Sequence, residues 1–317
     1  MCGTCGCDDP SVMGAPARPR LAARPAASVR LARPLAAAAA PARGAAPTLP
    51  PSVLADELVV RALAPDLGQG PAPTDGHGRL VHVERNILDK NDRLADENRR
   101  RFADAGVFVV NLMSSPGSGK TTLLVETLRR LAGAVPTAVI EGDQHTAIDA
   151  ARIRATGTRA VQLNTGRACH LDAGMVRHAL DALGALEPGY LFVENVGNLV
   201  CPASFDLGEG ARVVVASIAE GEDKPLKYPH MFSIADLVVV SKVDLAPALE
   251  FPLEALRENV ARVAPHAELL EVSSRTGAGL ELWLEWLVRA RAAAAVVEAH
   301  VEAHVGPPPA LARRGEG

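Results

Sequence analysis

Apolar residues recur through the middle of the chain in short blocks: Val107 to Met113, Thr137 to Ile140, Ala160 to Leu163, Tyr190 to Val193, Arg212 to Ile218, Leu237 to Val240 and Leu269 to Val272. Blocks of this length predict buried strands. Between them, Leu123, Leu124, Val125 and Leu128, then Ala173 to Leu183 and Leu253 to Val263, follow helical spacing. Strands alternating with helices predict an α/β fold, a doubly wound, mostly parallel sheet whose ligands bind beyond the carboxyl ends of the strands. Asn86 to Ala103 reads as a highly charged helix with Ile87, Leu94 and Phe102 on a sparse apolar side, and its charged run is expected to be solvated. Upstream, Pro10 to Pro51 is almost entirely Ala, Pro and Arg, without an acidic residue or a periodic apolar face. That composition predicts a Pro-stiffened disordered tether, and it also resembles a transit peptide, although cleavage there would discard the cysteines at its own start. Val53 to Ala64 is expected to form a short helix before a Gly/Pro-rich linker through Gly78. The expected organisation is a cysteine motif at 1–7, a low-complexity linker at 8–80, a folded domain at 81–290 and a tail at 291–317.

Composition narrows the chemistry. Of 317 residues 48% are apolar but only 3% aromatic, so Ala, Val and Leu must build the core. The net charge is −4, with no long basic block in the folded part, which argues against nucleic acid as the main partner. No apolar run approaches the roughly 20 residues needed to span a bilayer, so a soluble protein without membrane insertion is expected. Five cysteines without a secretory signal suit free thiols in a reducing cytoplasm rather than a disulfide framework. Cys2, Cys5 and Cys7 crowd into the first seven residues, within reach of one soft ion such as Ni²⁺, Zn²⁺ or Cu⁺. Loss of Met1 would add the amino group of Cys2 and allow a square-planar site, which favours Ni²⁺. Incidental cysteines on a floppy terminus are the alternative.

The polar motifs fall at the ends of the expected strands. Ser114 to Thr122 reads SSPGSGKTT between a strand and a helix, the order that a phosphate-binding loop requires. Gly117 and Gly119 let the backbone approach a polyphosphate, so that amides from Ser118 to Thr122 and the helix N-terminus face its oxygens. Lys120 would reach the β- and γ-phosphates, and Thr121 would place its hydroxyl on Mg²⁺. Ser114 stands where the first glycine is usual, and a plain Ser/Gly turn is the alternative. In Glu141-Gly142-Asp143-Gln144, Asp143 is the candidate for the Mg²⁺ shell or for positioning a hydrolytic water, with a helix N-cap as the other reading. In Glu194-Asn195-Val196-Gly197-Asn198, Gly197 would offer its amide to the γ-phosphate and Glu194 would hold a magnesium-bound water.

Ser241-Lys242-Val243-Asp244 resembles the guanine-reading pattern N/T-K-x-D. Asp244 would accept two hydrogen bonds from the base and Lys242 would lie along the purine plane, while Ser241 in place of Asn or Thr is expected to loosen the tie to the phosphate loop. Ser273-Ser274-Arg275 falls where it would complete the base pocket. Cys169-His170 and Cys201 supply two thiols and an imidazole, a set that Zn²⁺ and Ni²⁺ both accept, against the alternative of ordinary core residues.

With SSPGSGKTT, EGDQ, NTGRACHLD, ENVGNLVCP, EGEDKPLKYPHMF and SKVDL in this order, the chain resembles the hydrogenase nickel-incorporation GTPases, the HypB family, over about Val81 to Leu287. The terminal MCGTCGC is similar to that family's variable nickel-binding extension. The resemblance implies a P-loop GTPase fold and a cytoplasmic maturation factor. Such a factor couples GTP binding and hydrolysis to GDP with delivery of Ni²⁺ to the large subunit of nickel-iron hydrogenase. It also implies a zinc-binding partner chaperone, HypA, and a homodimer favoured by nucleotide or metal, for which Leu245 and Leu249 offer an apolar pair four residues apart. By residue it assigns Cys2, Cys5 and Cys7 to tight nickel binding, and Cys169, His170 and Cys201 to a weaker Ni²⁺ or Zn²⁺ site. The linker lacks the histidine tract of some members, which puts nickel storage in doubt, and His300 and His304 read as a solvated tail rather than a metal pair. A metal-sequestering protein without turnover and a P-loop small-molecule kinase are the competing classes; Lys120, Thr121 and Asp143 argue against the first and Asp244 against the second.

Overall fold

Successive residues of a strand face opposite sides of a sheet, so strands that are apolar on both sides are stable only with helices packed on each face. The computed structural model describes residues 59–61, 76–143, 148–166 and 168–305, and the side chains of these except at 59–61, 76–85 and 298–305. The first half runs β1 (Val59–Arg61), α1 (Gly76–Asp104), β2 (Val107–Ser114), α2 (Lys120–Leu131), β3 (Thr137–Asp143), α3 (Ile148–Arg154), β4 (Arg159–Asn164) and α4 (Ala173–Leu183). The second runs β5 (Gly189–Glu194), β6 (Ala211–Ser217), α5 (Lys224–Lys227), α6 (Pro229–Ser233), β7 (Leu237–Ser241), α7 (Leu253–Val263), β8 (Glu268–Val272) and α8 (Leu280–Val305).

Among the described residues all the strand pairings are parallel, in the order β1-β4-β3-β5-β2-β6-β7-β8. The chain steps from β2 out to β3 and β4, returns to β5, and then builds β6 to β8 on the other side of β2. The direction of winding reverses beside β2, which opens a crevice at its carboxyl end, where the phosphate loop begins. On one face Val110, Leu112, Val139, Phe192, Val213 and Val239 meet Leu123, Leu124 and Leu128 of α2 and Trp283 and Leu287 of α8. The opposite face is covered in two halves, by α1 and α4 over β3 to β5 and by α6 and α7 over β6 and β7. This is the doubly wound sheet that the alternating pattern predicts. The few aromatics act as anchors: Trp283 stacks on Trp286 at 5.6 Å and donates its indole N–H to Thr127 Oγ1 at 2.8 Å, fastening α8 to α2.

Several expectations change. Val59–Arg61, placed by composition in a short helix, is a strand paired with β4, because an exposed parallel edge offers it backbone partners that local propensity does not register. The charged helix starts at Gly76 rather than Asn86, and it is less solvated than its charge suggests. Asn98 is buried and donates to Ala173 O and Leu207 O, while Asn91 donates to Asp206 O. Ile218 leaves the sixth strand for a 3-10 turn closed by a Ser217–Glu220 capping box. The last helix continues through residue 291 to Val305. Cys2, Cys5 and Cys7 and the Ala/Pro/Arg stretch lie outside the described residues.

Candidate functional site

The phosphate loop spans Ser115 to Gly119 between β2 and α2. Gly119 adopts φ 99°, a left-handed conformation that an L side chain resists, and this turns the chain so that α2 begins at Lys120. Lys120 is only 8% exposed and donates to Ser114 Oγ at 2.8 Å. The serine in the usual glycine position is thus a hydrogen-bond partner for the lysine. Burial pushes the Lys120 ammonium below its ordinary value, and the nearby carboxylates of Glu194, Asp149 and Glu141 pull it back. Thr121 Oγ1 donates to Glu194 Oε1 at 2.6 Å, joining the start of α2 to the end of β5. The Ser118 hydroxyl is buried with no hydrogen-bond partner among the described residues. A buried orphan donor in a glycine-rich loop fits a ligand with oxygen acceptors, such as a phosphate chain.

Opposite this loop lies an acidic wall. Asp143 ends β3 and Glu194 ends β5. Asp143 lies within the strand, five residues before α3, and so is not the cap of that helix. Burial raises the Glu194 carboxyl, opposed by the Lys120 charge and the Thr121 hydrogen bond. Sequence reasoning passed over Glu141, which burial and the neighbouring Glu194 and Asp143 charges push up to about 8. The period of two along β3 was the available signal, since it puts Glu141 and Asp143 on one face. The oxygen donors Thr121, Asp143 and Glu194 suit a hard cation such as Mg²⁺. Glu220 was also missed: it receives the Ser115 hydroxyl and lies 3.8 Å from Lys224, tying the turn after β6 to the phosphate loop.

The Ser241-Lys242-Val243-Asp244 motif borders the same loop. Ser241 Oγ donates to Ser118 O at 2.6 Å, so the expected loosening does not occur: the shorter side chain still reaches because β7 ends close to the loop. Lys242 adopts φ 60° and donates to Gly117 O at 2.7 Å. Asp244 accepts from Ser273 Oγ at 2.6 Å and from Arg275 Nε at 2.8 Å. Ser273 first and Arg275 second hold its carboxyl below the usual range. The same two carboxylate oxygens would serve two donors of a guanine edge. Thr122 Oγ1 accepts from Arg152 of α3 at 3.2 Å.

A second cluster stands beside the first. The Sγ atoms of Cys169 and Cys201 and a ring nitrogen of His170 lie within 4.8 Å of one another. That soft N/S set and spacing fit one Ni²⁺ or Zn²⁺ ion after a small contraction. Burial lowers the pKa of His170, which favours the neutral, ligating form, and its ring stacks on Phe205 at 3.9 Å. Gly142 explains the placement of this segment: a Cβ there would sit 2.8 Å from Leu171 Cγ, so its absence lets the fully buried Leu171 pack against β3. Leu171 N donates to Asn195 Oδ1 at 3.0 Å, and Asn198 Nδ2 donates to Cys169 O at 3.2 Å. Neither asparagine was singled out from the sequence, because their partners lie more than twenty residues away in the chain. Between them, Gly197 abuts the phosphate loop, where a Cβ would meet Pro116 N and Cα at 3.0 Å.

The nucleotide-binding domain model described as CobW/HypB/UreG matches residues 108–271. The hydrogenase maturation factor HypB of Azotobacter chroococcum mcd 1 is 55% identical over 240 residues, covering 74% of this chain and 79% of that protein. The HypB of Escherichia coli (strain K12) is 56% identical over 230 residues, covering 71% and 79%. Among solved structures, the hydrogenase maturation factor HypB from Archaeoglobus fulgidus matches with a TM-score of 0.61 and 39% identity, covering 64% of this chain and 99% of that one. HypB from Helicobacter pylori in complex with nickel matches with a TM-score of 0.61 and 43% identity, covering 64% and 95%.

Proposed function

The chain belongs to the HypB family of hydrogenase maturation factors, and from that premise we propose that it is a GTP-hydrolysing nickel metallochaperone that delivers Ni²⁺ to the large subunit of nickel-iron hydrogenase. One observation carries the reading: a single segment, residues 194–201, runs from the carboxylate bonded to Thr121, past the glycine seated on the phosphate loop, to a thiol of the Cys/His cluster. Lys120 and the loop amides bind the β- and γ-phosphates. Asp244, released by Ser273 and Arg275, reads the guanine edge, and Lys242 flanks the purine. Thr121, Asp143 and Glu194 would hold Mg²⁺, which would supply positive charge against the phosphates. Asp143 orients the attacking water, and the Gly197 amide follows the γ-phosphate.

When the γ-phosphate leaves, Gly197 loses that partner and the segment relaxes. Cys201, at the far end of the segment, then shifts relative to Cys169 and His170, whose loop is tied nearer the segment's start by the Asn195–Leu171 and Asn198–Cys169 hydrogen bonds. A displacement of about 1 Å matters to a site whose bond lengths are set within a few tenths of an ångström. Ni²⁺ at this site is cargo, accepted in one nucleotide state and handed on in the other, and Zn²⁺ competes for the same donors. The terminal Cys2, Cys5 and Cys7 motif loads nickel at the end of the 8–80 linker. The domain at 81–290 works in the cytoplasm as a homodimer favoured by GTP or metal, with a HypA-type zinc-binding chaperone as its partner. Among the described residues no helix is long and apolar enough to cross a membrane.

The test is GTP turnover together with nickel titration on protein lacking residues 1–7, in GDP and in a non-hydrolysable GTP analogue. Nickel affinity should differ between the two states, and linkage requires nickel to change the relative affinity of the two nucleotides by the same factor. Bound metal without phosphate release would favour a sequestering protein; preference for ATP would favour a kinase.

A further inference from the structure

We propose that Glu141 is a positioning residue for the divalent cation of nucleotide hydrolysis, holding water in the Mg²⁺ shell jointly with Glu194. The inference rests on the GTPase reading above and adds a residue to it. In the sheet, Val139 of β3 is paired with Phe192 of β5 and, one pleat further, Glu141 is paired with Glu194. Val139 and Phe192 both lie in the apolar cluster under α2. Strand alternation therefore puts Glu141, Asp143 and Glu194 on that same face, at the end that opens towards Lys120 and Thr121.

Glu141 is 3% exposed and Glu194 5%, and each has one carboxylate oxygen, Oε2, that is buried and has no hydrogen-bond partner among the described residues. Two carboxylates side by side in a dry sheet are costly, and a role in packing alone would be served better by apolar side chains. The arrangement makes sense if a cation completes it. Lys120 is the cation that faces both, and it is also the group that a bound polyphosphate claims. Once the phosphates take that charge, the paired carboxylates are left facing the metal that arrives with the nucleotide. Mg²⁺ keeps several of its waters when bound by proteins. Asp143 holds the more C-terminal position on this face, so the deeper Glu141 meets the ion through such a water.

The experiment uses the full chain and a fluorescent GDP analogue, and follows its release as Mg²⁺ is varied. In Glu141→Gln, an isosteric change, the Mg²⁺ concentration that half-maximally slows release should rise at least about tenfold, the usual loss when an outer-shell partner is removed. Release in EDTA, measured beside it for each protein, reports whatever Glu141 does through the charge of Lys120, and the rise in Mg²⁺ requirement is read relative to that metal-free rate. Mn²⁺ affinity of the nucleotide complex, measured by electron paramagnetic resonance, should fall by the same factor. An unchanged Mg²⁺ requirement in the folded variant overturns the role of Glu141. Should the Gln variant fail to fold, Glu141→Asp keeps the charge but withdraws the carboxylate, and the same rise is expected; no rise overturns the proposal. If wild-type release is itself insensitive to Mg²⁺, the nucleotide reading and this inference fall together. If wild type responds and Glu141→Gln responds identically, only this inference fails.

Discussion

Gly197→Ala tests the physical link between the two clusters. The added methyl would lie 3.0 Å from Pro116 N and Cα and 3.1 Å from Pro116 Cγ. Such contacts are tighter than packed side chains normally make, so one side must yield by a few tenths of an ångström. Two of the three atoms are backbone or attached to it, and no flexible side-chain tip is available to move aside. Overpacking of this kind costs about 1–3 kcal/mol, and placed on the state that holds the segment against the loop it lowers GTP turnover by roughly 5- to 150-fold. The displaced segment carries Asn198 and Cys201, so nickel affinity at the inner site should fall as well. The assay is phosphate release beside a nickel titration on protein lacking residues 1–7, with urea unfolding to establish that the variant is folded. A folded variant with wild-type turnover and wild-type nickel affinity would refute the link through residue 197.

Asp244→Asn should shift preference from GTP towards xanthosine triphosphate, because an amide donor suits the xanthine edge; unchanged GTP affinity in a direct titration removes Asp244 from base reading. Deleting residues 1–7 should abolish the tighter nickel site and leave GTP hydrolysis intact, and equal nickel affinity before and after would exclude Cys2, Cys5 and Cys7. Leu245 and Leu249 are 38% and 53% exposed and are joined by a backbone hydrogen bond from Leu249 N to Leu245 O at 3.0 Å, which puts both on one turn. Changing both to Ala should weaken self-association by about 10-fold or more, since two leucines removed from an interface forfeit at least ~1.5 kcal/mol, while hydrolysis persists. Sedimentation showing an undiminished dimer would reject that surface. Cys201→Ala should weaken inner-site nickel binding and erase its dependence on nucleotide; a difference between GDP and GTP states that survives would move the coupling away from this thiol.

Local pattern determined much of this protein. Short apolar blocks specify strands because no helix of that length can bury both sides, and SSPGSGKTT between a block and an amphipathic helix specifies where a phosphate chain meets backbone amides. The helices Ala173–Leu183 and Leu253–Val263 end where the sequence places them, since their apolar spacing is a local property. Tertiary structure decided the rest, because it depends on strand neighbours that sequence order does not reveal. β5 lies between β2 and β3, which sets Glu194 beside Glu141 and within reach of Thr121. Val59–Arg61 becomes a strand only because β4 offers an edge, and Ser241 keeps its hold on the phosphate loop because β7 ends beside it. Cys201 joins Cys169 and His170 by the same logic: the ligands are legible as residue types, but their meeting depends on Leu171 filling the space that Gly142 leaves open and on two asparagines tying one loop to the other.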